Sequence, residues 1–286
     1  RDYIEMALGR QRKIFQKYNI MASNRNKQEK IMIERIVSLT PSITETIFAL
    51  GAGHRVVGIT DACDFPIEVQ TRPHVCSWFE PDMDRILKLK PDMVLGLETA
   101  HQRLVPAFET NGIRLELFNP ATVEEVFSDM LSIGALLDIP KEAQALVEGL
   151  VKRMAVLDAK VLKIAPDERI TVARVLDYSN ENLIVAGPRS FQYDVIRSGG
   201  GINVTTNIDE AYPKMPFSQF RSWDPQMVFI CGTDMNILPR LKADSRWCEL
   251  TAVKTGRIYQ FDCGLTCRTG PRIVNMAELL FETLYA

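Results

Sequence analysis

Two cysteines, Cys263 and Cys267, lie in the turn-rich segment "DCGLTCRTGPR" of residues 262–272. Thiolates bind soft metal ions and iron–sulfur clusters, and two neighbouring thiols can instead form a disulfide or a redox pair. The spacing differs from the Cys-x-x-Cys pairs of many zinc sites. The pattern therefore leaves three alternatives open: a metal or cluster site, a disulfide between some pair of cysteines, and unliganded thiols.

Motifs that would indicate catalysis are missing from the sequence. It contains no Gly-x-Ser-x-Gly elbow, no phosphate-cradling loop between a strand and a helix, and no His-Glu-x-x-His. The glycine-rich "SGGG" of residues 198–201 follows a predicted helix, which is typical of a helix C-cap and turn. The sequence therefore predicts a protein that is not an enzyme.

The composition is that of a globular protein, with 46% hydrophobic and 24% charged residues. A net charge of −2 indicates no nucleic-acid partner. Six cysteines in 286 residues require no disulfide framework, because a chain of this length buries enough apolar surface without one. No apolar run reaches the roughly 18–20 residues that cross a bilayer.

Residues 1–32 are predicted to form a basic helical extension and linker, with Ile14, Phe15 and Tyr18 on one helical face. We expect this helix to pack on the body of the protein rather than on a membrane surface. No signal peptide is visible, and the sequence starts at an arginine. Because a trimmed chain can start in this way, the sequence leaves the compartment open and does not exclude the cytoplasm.

From residue 33 onward, short apolar runs alternate with helical patterns. "RIVSL", "RVVGI", "PDMVLGL" and "RLELF" read as strands, and "TPSITETIFALG", "PDMDRILKL" and "HQRLVPAFETNG" as helices between them. "TVEEVFSDMLSIGALLD" has Thr122 and Glu125 at the positions of a capping box. This alternation predicts an N-terminal α/β lobe over residues 33–139, with a parallel sheet covered on both faces.

The pattern changes at residues 140–166, where helical spacing of apolar residues predicts one long linking helix. The α/β alternation then resumes over residues 167–286 in "RITVARVL", "NLIVAG", "QMVFICG" and "RIYQF", before a closing helix from about residue 271. A weak repeat, "LKLKPDMVLGL" and "RSWDPQMVFIC", relates the two halves. The predicted fold class is α/β, with two Rossmann-like lobes that have mostly parallel sheets, joined by one backbone helix, and a ligand cleft between them.

Side chains in loops after the strands are expected to face this cleft, because ligands bind at the carboxyl ends of parallel strands. The expected polar residues are Thr40, Ser42, Asp61, His74 and His101 in the first lobe and Tyr178, Asn180 and Arg268 in the second. The expected thiols are Cys63, Cys76, Cys231, Cys263 and Cys267, of which all except Cys231 are the candidate metal ligands. Cys248, beside Trp247, is expected to be buried away from the cleft.

Several segments, in order, resemble a known family. "RIVSLTPSITETIFALGAGHRVVGIT", "CDFP", "EPDMDRILKLKPDMVLG", "VIRSGGGINV", "WCELTAVKTGRIYQFD" and "RTGPRIV" are similar to landmarks of the helical-backbone class of periplasmic substrate-binding proteins. These proteins serve ABC importers of cobalamin, haem and ferric siderophores. The resemblance runs from about residue 33 to the C-terminus, and the cobalamin-binding members look most similar.

The resemblance implies that the protein captures a corrinoid, or a related metal chelate such as haem or a ferric siderophore, in its cleft. "CSWFEPDMDRI" resembles the segment whose tryptophan packs on the corrin ring, which implies a ligand contact for Trp78. Arg268 matches a family position in the loop that reaches the ligand, whereas Cys263 and Cys267 depart from the family pattern. No resident cofactor is required for such a function.

The resemblance also implies a partner, the permease of an ABC importer, and a periplasmic or extracellular, membrane-associated location. Asp84 matches the acidic residue with which the first lobe docks on the transporter, but Ser218 stands about where the second lobe would have its glutamate. That departure puts the usual docking in doubt. The alternative function is a cofactor carrier of the same fold, in which the cleft cysteines hold a metal ion or an iron–sulfur cluster.

Overall fold

The computed structural model of the chain describes residue 9 and residues 32–77, 80–178 and 181–286. The predicted N-terminal extension, except for residues 9 and 32, lies outside the described residues, as do Trp78 and Asn180. In the described part of the chain, no helix combines the length and the apolar character that crossing a bilayer requires.

The first lobe, called the N-lobe below, is built on a five-stranded sheet in the order β3-β2-β1-β4-β5. All neighbouring strands are parallel. The strands are β1 (Ile36–Ser38), β2 (Val56–Thr60), β3 (His74–Cys76), β4 (Met93–Leu97) and β5 (Leu115–Phe118). The α-helices are α1 (Pro41–Ala49), α2 (Met83–Lys88), α3 (Glu98–His101), α4 (Val105–Thr110) and α5 (Val123–Leu136). The predicted parallel α/β lobe is confirmed.

Helix ends in the N-lobe follow local sequence signals. Thr40 is the N-cap of α1 and Pro41 its first residue, while Gly51 after the helix has a φ of 77°. At α5 the Thr122 side chain accepts a hydrogen bond from the Glu125 backbone N–H, as the capping box predicts. The Glu125 carboxylate differs from the prediction, because it accepts from the N–H of Ala121 rather than from that of Thr122.

The second lobe, called the C-lobe, has a mixed sheet in the order β11-β10-β6-β7-β9, with β8 paired to β6. The strands are β6 (Thr171–Asp177), β7 (Asn182–Val185), β8 (Ile202–Asn203), β9 (Lys214–Pro216), β10 (Met227–Cys231) and β11 (Ile258–Phe261). The α-helices are α7 (Phe191–Ser198), α8 (Phe217–Trp223), α9 (Ile237–Ala243), α10 (Thr251–Lys254), α11 (Cys263–Thr266) and α12 (Ile273–Tyr285).

The C-lobe sheet is mostly parallel, but β7 runs antiparallel to both β6 and β9. Only residues 178–181 connect β6 to β7. A parallel crossover needs a dozen or more residues, so a connection of this length requires β7 to run antiparallel to β6. The closing helix also starts slightly later than predicted, since Arg272 is its N-cap and Pro271 precedes the helix.

One helix of 22 residues, α6 (Pro140–Val161), joins the lobes. Its buried face contributes to an apolar core that contains residues of both lobes, from Ile36 of β1 to Phe229 of β10. At Gly134 of α5, an added Cβ would lie 2.2 Å from the Cβ of Ala143, so glycine is needed where α5 and α6 cross. Because both lobes share one core around α6, we expect the helix to act as a stiff connection.

The repeat seen in the sequence has a structural counterpart. Lys90 and Asp224 have φ values of 46° and 41°, and each precedes a proline and then a strand. Asp92 Oδ2 accepts bonds of 2.8 Å from two backbone N–H groups just before β1. Gln226 Oε1 accepts a bond of 2.9 Å from the N–H of Thr171 at the start of β6. In both lobes, a side chain just before one strand (β4 or β10) therefore binds the backbone at the start of the adjacent central strand (β1 or β6).

Candidate binding cleft and its thiol cluster

The loop after β11 brings the C-lobe into contact with the N-lobe. Arg268 Nη1 donates to Glu45 Oε1 at 2.7 Å and to Asp64 Oδ1 at 2.5 Å, and its Nη2 donates to Asp64 Oδ2 at 3.0 Å. Arg272 Nε donates to Glu45 Oε2 at 2.8 Å and Nη2 to Glu45 Oε1 at 2.7 Å. The Arg272 guanidinium also lies 4.2 Å from the centre of the Phe65 ring. We call Glu45, Asp64, Arg268 and Arg272 the interlobe ion network.

Arg268 was predicted to contact the ligand, and in the structure its guanidinium contacts residues of the N-lobe. Both of its terminal nitrogens donate to Glu45, Asp64 or the carbonyl of Ala62, and its side chain is only 10% exposed. A guanidinium held in this way orders the loop at the cleft. A direct ligand contact of Arg268 stays a prediction.

Asp64 makes the interlobe ion network sensitive to acid. Hydrogen bonds from the Arg268 guanidinium hold the pKa of its carboxyl below the usual range. A carboxyl with a lowered folded-state pKa adds stability above its unfolded value, near about pH 4, and this stability is lost as the pH falls through the folded-state pKa. Asp64→Asn is therefore expected to lower the melting temperature at neutral pH, and the difference from wild type should shrink below about pH 4.

A matched control is Asp167→Asn, at an exposed carboxylate for which no ion pair is found in the described part of the chain. This control should melt like the wild type at each pH. A deficit of the Asp64 variant that stays constant from neutral pH to about pH 3 would contradict the linkage.

Thr40 and Ser42 lie at the carboxyl end of β1, as predicted, but both are buried. Their hydroxyl oxygens are 3.0 Å apart. The Thr40 carbonyl accepts further bonds from the hydroxyls of Ser38 and Thr44. Within the described residues these groups satisfy one another, so a ligand contact by Thr40 or Ser42 stays a prediction.

The two predicted imidazole positions differ in exposure. His101 is fully buried, and its Nδ1 accepts a bond of 3.0 Å from the Leu97 N–H, which places the ring against the start of α3. His74 is exposed, and its Nδ1 lies 2.8 Å from Asp61 Oδ1. Asp61 is exposed as well, so a ligand could reach its carboxylate, whereas the ring of His101 is buried.

Three other predicted residues lie on or near the surface. Tyr178 is half-buried after β6, and burial raises the pKa of its phenol. Asp84 is exposed in the first turn of α2, and Ser218 is exposed in the first turn of α8. Equivalent exposed positions on the two lobes thus carry an acid in one case and a hydroxyl in the other.

Three thiols converge at the carboxyl end of the C-lobe sheet. The Sγ atoms of Cys231, Cys263 and Cys267 all lie within 4.8 Å of one another, and those of Cys231 and Cys267 are 3.3 Å apart. Cys231 ends β10, and the other two begin and follow α11 after the neighbouring β11. All three are half-buried and none forms a disulfide. We call these residues the thiol cluster.

The thiol cluster lies against a buried arginine. Arg174, in β6 beside β10, is 1% exposed, and its Nη2 donates to Cys231 Sγ at 2.9 Å and to Cys267 Sγ at 3.6 Å. Its guanidinium also lies 5.6 Å from the centre of the Phe229 ring. A hydrogen bond from the Cys267 thiol and the charge of Arg174 lower the pKa of Cys231 to about 7, despite its burial. The contact with Cys231 and burial raise the pKa of Cys267.

Of the other two predicted metal ligands, Cys63 does not belong to this group. Cys63 is buried in the N-lobe, with Sγ 3.2 Å from the Thr44 hydroxyl and 3.3 Å from that of Thr60. Cys76 is in β3, and its side chain lies outside the described residues. Among the described residues, the cysteine that neighbours Cys263 and Cys267 is therefore Cys231 and not Cys63, because β10 and β11 are adjacent strands.

Two further features differ from the sequence-based expectation. Cys248 was expected to be buried, and this is wrong: its side chain is exposed, while Trp247 is fully buried. In the turn after α9, the side chain of Trp247 packs into the core and that of the next residue, Cys248, is exposed to solvent. Arg174 was not selected from the sequence, although an arginine inside the apolar strand pattern "RITVARVL" is a signal of a buried charge that needs a partner.

A groove of about 540 Å³ opens on the N-lobe beside the interlobe ion network. It is lined mainly by Phe48, His54, Phe65, Glu68 and Arg72. All residues that line it belong to the N-lobe, so this groove is distinct from the cleft at the thiol cluster.

Two α/β lobes joined by one helix, with loops from strand ends meeting between them, define the protein as a two-lobed binding protein. The sequence of residues 36–263 matches the family model described as "Periplasmic binding protein", and the chain belongs to this family. It is thus a solute-binding protein and not an enzyme.

Among curated proteins, the chain is 25% identical over 205 residues to a vitamin B12-binding protein of Yersinia pestis (strain Pestoides F), covering 71% of each. It is 28% identical over 269 residues to an uncharacterized ABC transporter substrate-binding lipoprotein of Bacillus subtilis (strain 168), covering 92% of this chain and 84% of that one. Neither of these two relatives is named as an iron–sulfur carrier, so they give that alternative no support.

Solved structures share the fold. A periplasmic haem-binding protein of Pseudomonas aeruginosa superposes with a TM-score of 0.78 at 24% identity, covering 89% of this chain and 93% of that one. The periplasmic vitamin B12-binding protein of Vibrio cholerae superposes with a TM-score of 0.75 at 22% identity, covering 88% and 96%. These similarities confirm the predicted fold class.

Proposed function

We propose that this protein captures a corrinoid, or a related metal chelate such as haem or a ferric siderophore, between lobes formed by residues 33–139 and 167–286. It then delivers this ligand to the permease of an ABC importer. The observation that carries the proposal is the two-lobed fold combined with a sequence relative named as a vitamin B12-binding protein. The location that fits this function is the periplasm or the outer face of a membrane.

The connection between the lobes supports a receptor that changes little on binding. Helix α6 shares its core with both lobes, and the interlobe ion network joins the loop after β11 to the N-lobe. Opening would separate Glu45 from two guanidinium groups at a site where Glu45 is only 3% exposed. A preorganised cleft loses little conformational entropy when a rigid macrocycle binds.

Docking on the permease is proposed to depend mainly on the N-lobe. Asp84 is exposed on α2 and can pair with a basic residue of the permease. Ser218 on α8 carries no charge for a second pair. The C-lobe contact must then rest on interactions other than an ion pair at that position.

Isothermal titration with cobalamin, cobinamide, haemin and a ferric siderophore tests the proposal. We expect one-to-one binding of at least one of these four compounds at micromolar protein, since a flat macrocycle or chelate buries most of its surface in a cleft. Four titrations without heat, using protein that shows a cooperative melting transition, would contradict the proposed ligand class.

The same titration tests the predicted ligand contact of Trp78. An aromatic face against a macrocycle contributes about 0.5–1.5 kcal/mol beyond its buried area, so Trp78→Ala is expected to raise the Kd about tenfold. Trp78→Phe keeps an aromatic face and is the matched control. Equal Kd values for wild type and both variants would exclude this residue from the binding surface.

A further inference from the structure

The thiol cluster has the geometry of three ligands around one metal ion. Tetrahedral zinc with Zn–S bonds of about 2.3 Å places its sulfur ligands about 3.8 Å apart. The three Sγ atoms of the cluster lie within 4.8 Å of one another, with the shortest separation of 3.3 Å between Cys231 and Cys267. Small side-chain rotations therefore bring all three to bonding distance from one point. Their half-buried positions leave that point accessible to an entering ion.

The charge around the cluster favours a divalent ion. Arg174 is buried, and within the described residues no carboxylate forms an ion pair with it. Its guanidinium donates to the Val175 carbonyl and to the sulfur atoms of Cys231 and Cys267. An isolated buried cation is strongly disfavoured. Three thiolates, one divalent cation and one guanidinium together carry no net charge, which makes the loaded site compatible with partial burial.

We propose that Cys231, Cys263 and Cys267 form a binding site for one thiophilic divalent metal ion, such as Zn²⁺ or Cd²⁺, on the cleft side of the C-lobe. The three thiols bind as thiolates and release their protons on metal binding. The fourth position of a tetrahedral ion is left to a water molecule or another small donor. Arg174 is a positioning residue that offsets the negative charge of the sulfur ligands.

A macrocyclic chelate does not explain this arrangement. A corrin or porphyrin ring occupies the equatorial positions of its metal and leaves one axial position on each face, so a protein surface supplies a single donor to that face. A bound macrocycle would therefore need only one of the three thiols as a donor to its metal. The proposed ion site is therefore independent of the proposed corrinoid or haem function, and each has its own test.

Titration of the reduced, metal-free protein with Cd²⁺ under anaerobic conditions tests the site. We expect one Cd²⁺ per chain, ultraviolet charge-transfer absorption from thiolate to cadmium, and protection of three thiols from a thiol reagent. Changing even a second-shell residue weakens metal binding about 10–100-fold, so each of Cys231→Ser, Cys263→Ser and Cys267→Ser should weaken it roughly 100-fold or more. Cys248→Ser and Cys63→Ser, outside the cluster, should bind as the wild type does.

Circular dichroism of every variant shows whether it is folded, so that loss of binding is not confused with unfolding. Arg174→Gln is expected to weaken Cd²⁺ binding about tenfold without changing the charge-transfer spectrum, since the sulfur ligands are retained. The proposal is overturned by folded wild-type protein without the charge-transfer band, or by binding that all three serine variants retain.

Discussion

Glu45→Gln is expected to lower the free energy of unfolding by about 3 kcal/mol, because removing one partner of a buried ion pair leaves the other charge uncompensated. Glu45 is 3% exposed and accepts hydrogen bonds from both Arg268 and Arg272. Arg268 keeps its contact with Asp64, whereas Arg272 loses its anionic partner and retains only the neutral amide oxygen of the introduced glutamine as an acceptor. The loss should be visible as a lower urea midpoint at an unchanged m-value.

Glu34→Gln is the matched control for this prediction. Glu34 is an N-lobe glutamate whose side chain is 50% exposed, and its carboxylate lies 3.9 Å from Arg55. Exposed pairs of this kind contribute about 0–1 kcal/mol, so this variant should unfold close to the wild type. If the two variants lose the same small amount of stability, the interlobe ion network does not hold the lobes together.

Trp247→Ala is expected to lower the free energy of unfolding by about 3–5 kcal/mol, the range for removing a large aromatic side chain from a core. Trp247 is fully buried, with its ring centre 5.4 Å from that of Phe217 and 5.9 Å from that of Phe220. These rings cover the face of the sheet that contains β10, the strand that ends at Cys231. Thermal melting and near-ultraviolet circular dichroism measure the effect.

Trp247→Phe separates the packing of this ring from its polar atom. Trp247 Nε1 is buried and has no hydrogen-bond partner among the described residues. A buried donor without a partner disfavours folding by about 1–3 kcal/mol, so phenylalanine loses volume but removes this penalty. The phenylalanine variant should therefore retain most of the stability that the alanine variant loses. A loss as large as that of alanine would show that the indole is needed for a contact other than apolar packing.

Much of the fold follows from short segments of sequence. Apolar periodicity predicted β1, β2, β4 and β5 and the long helix α6, because each pattern reports which face of one element is buried. The helix-ending glycines Gly51 and Gly112 have φ values of 77° and 66°, as expected for residues that need no Cβ there. Strand β7 was predicted from "NLIVAG", but its antiparallel direction was not, since this segment has the same local pattern as a parallel strand.

The candidate site was predictable only in part. The expectation that loops after strands gather at the cleft led to Cys231, Cys263 and Cys267, but their grouping without Cys63 depends on which strands are neighbours. Exposure was also not predictable, because Thr40, Ser42 and His101 lie in loops or helix ends yet are buried by contacts with distant segments. Arg268 was assigned to the cleft, but its partner Glu45 is 223 residues away in sequence.

The sequence by itself determined the class of fold, the long linking helix and the family, because helical and strand periodicity and the order of the landmarks are local properties of the chain. Only the tertiary structure decided what the polar groups contact. It placed Arg174 against Cys231, 57 residues further along, and Arg268 against Glu45. The physical reason is that such contacts depend on strand order and sheet register, which join segments that carry no common sequence signal.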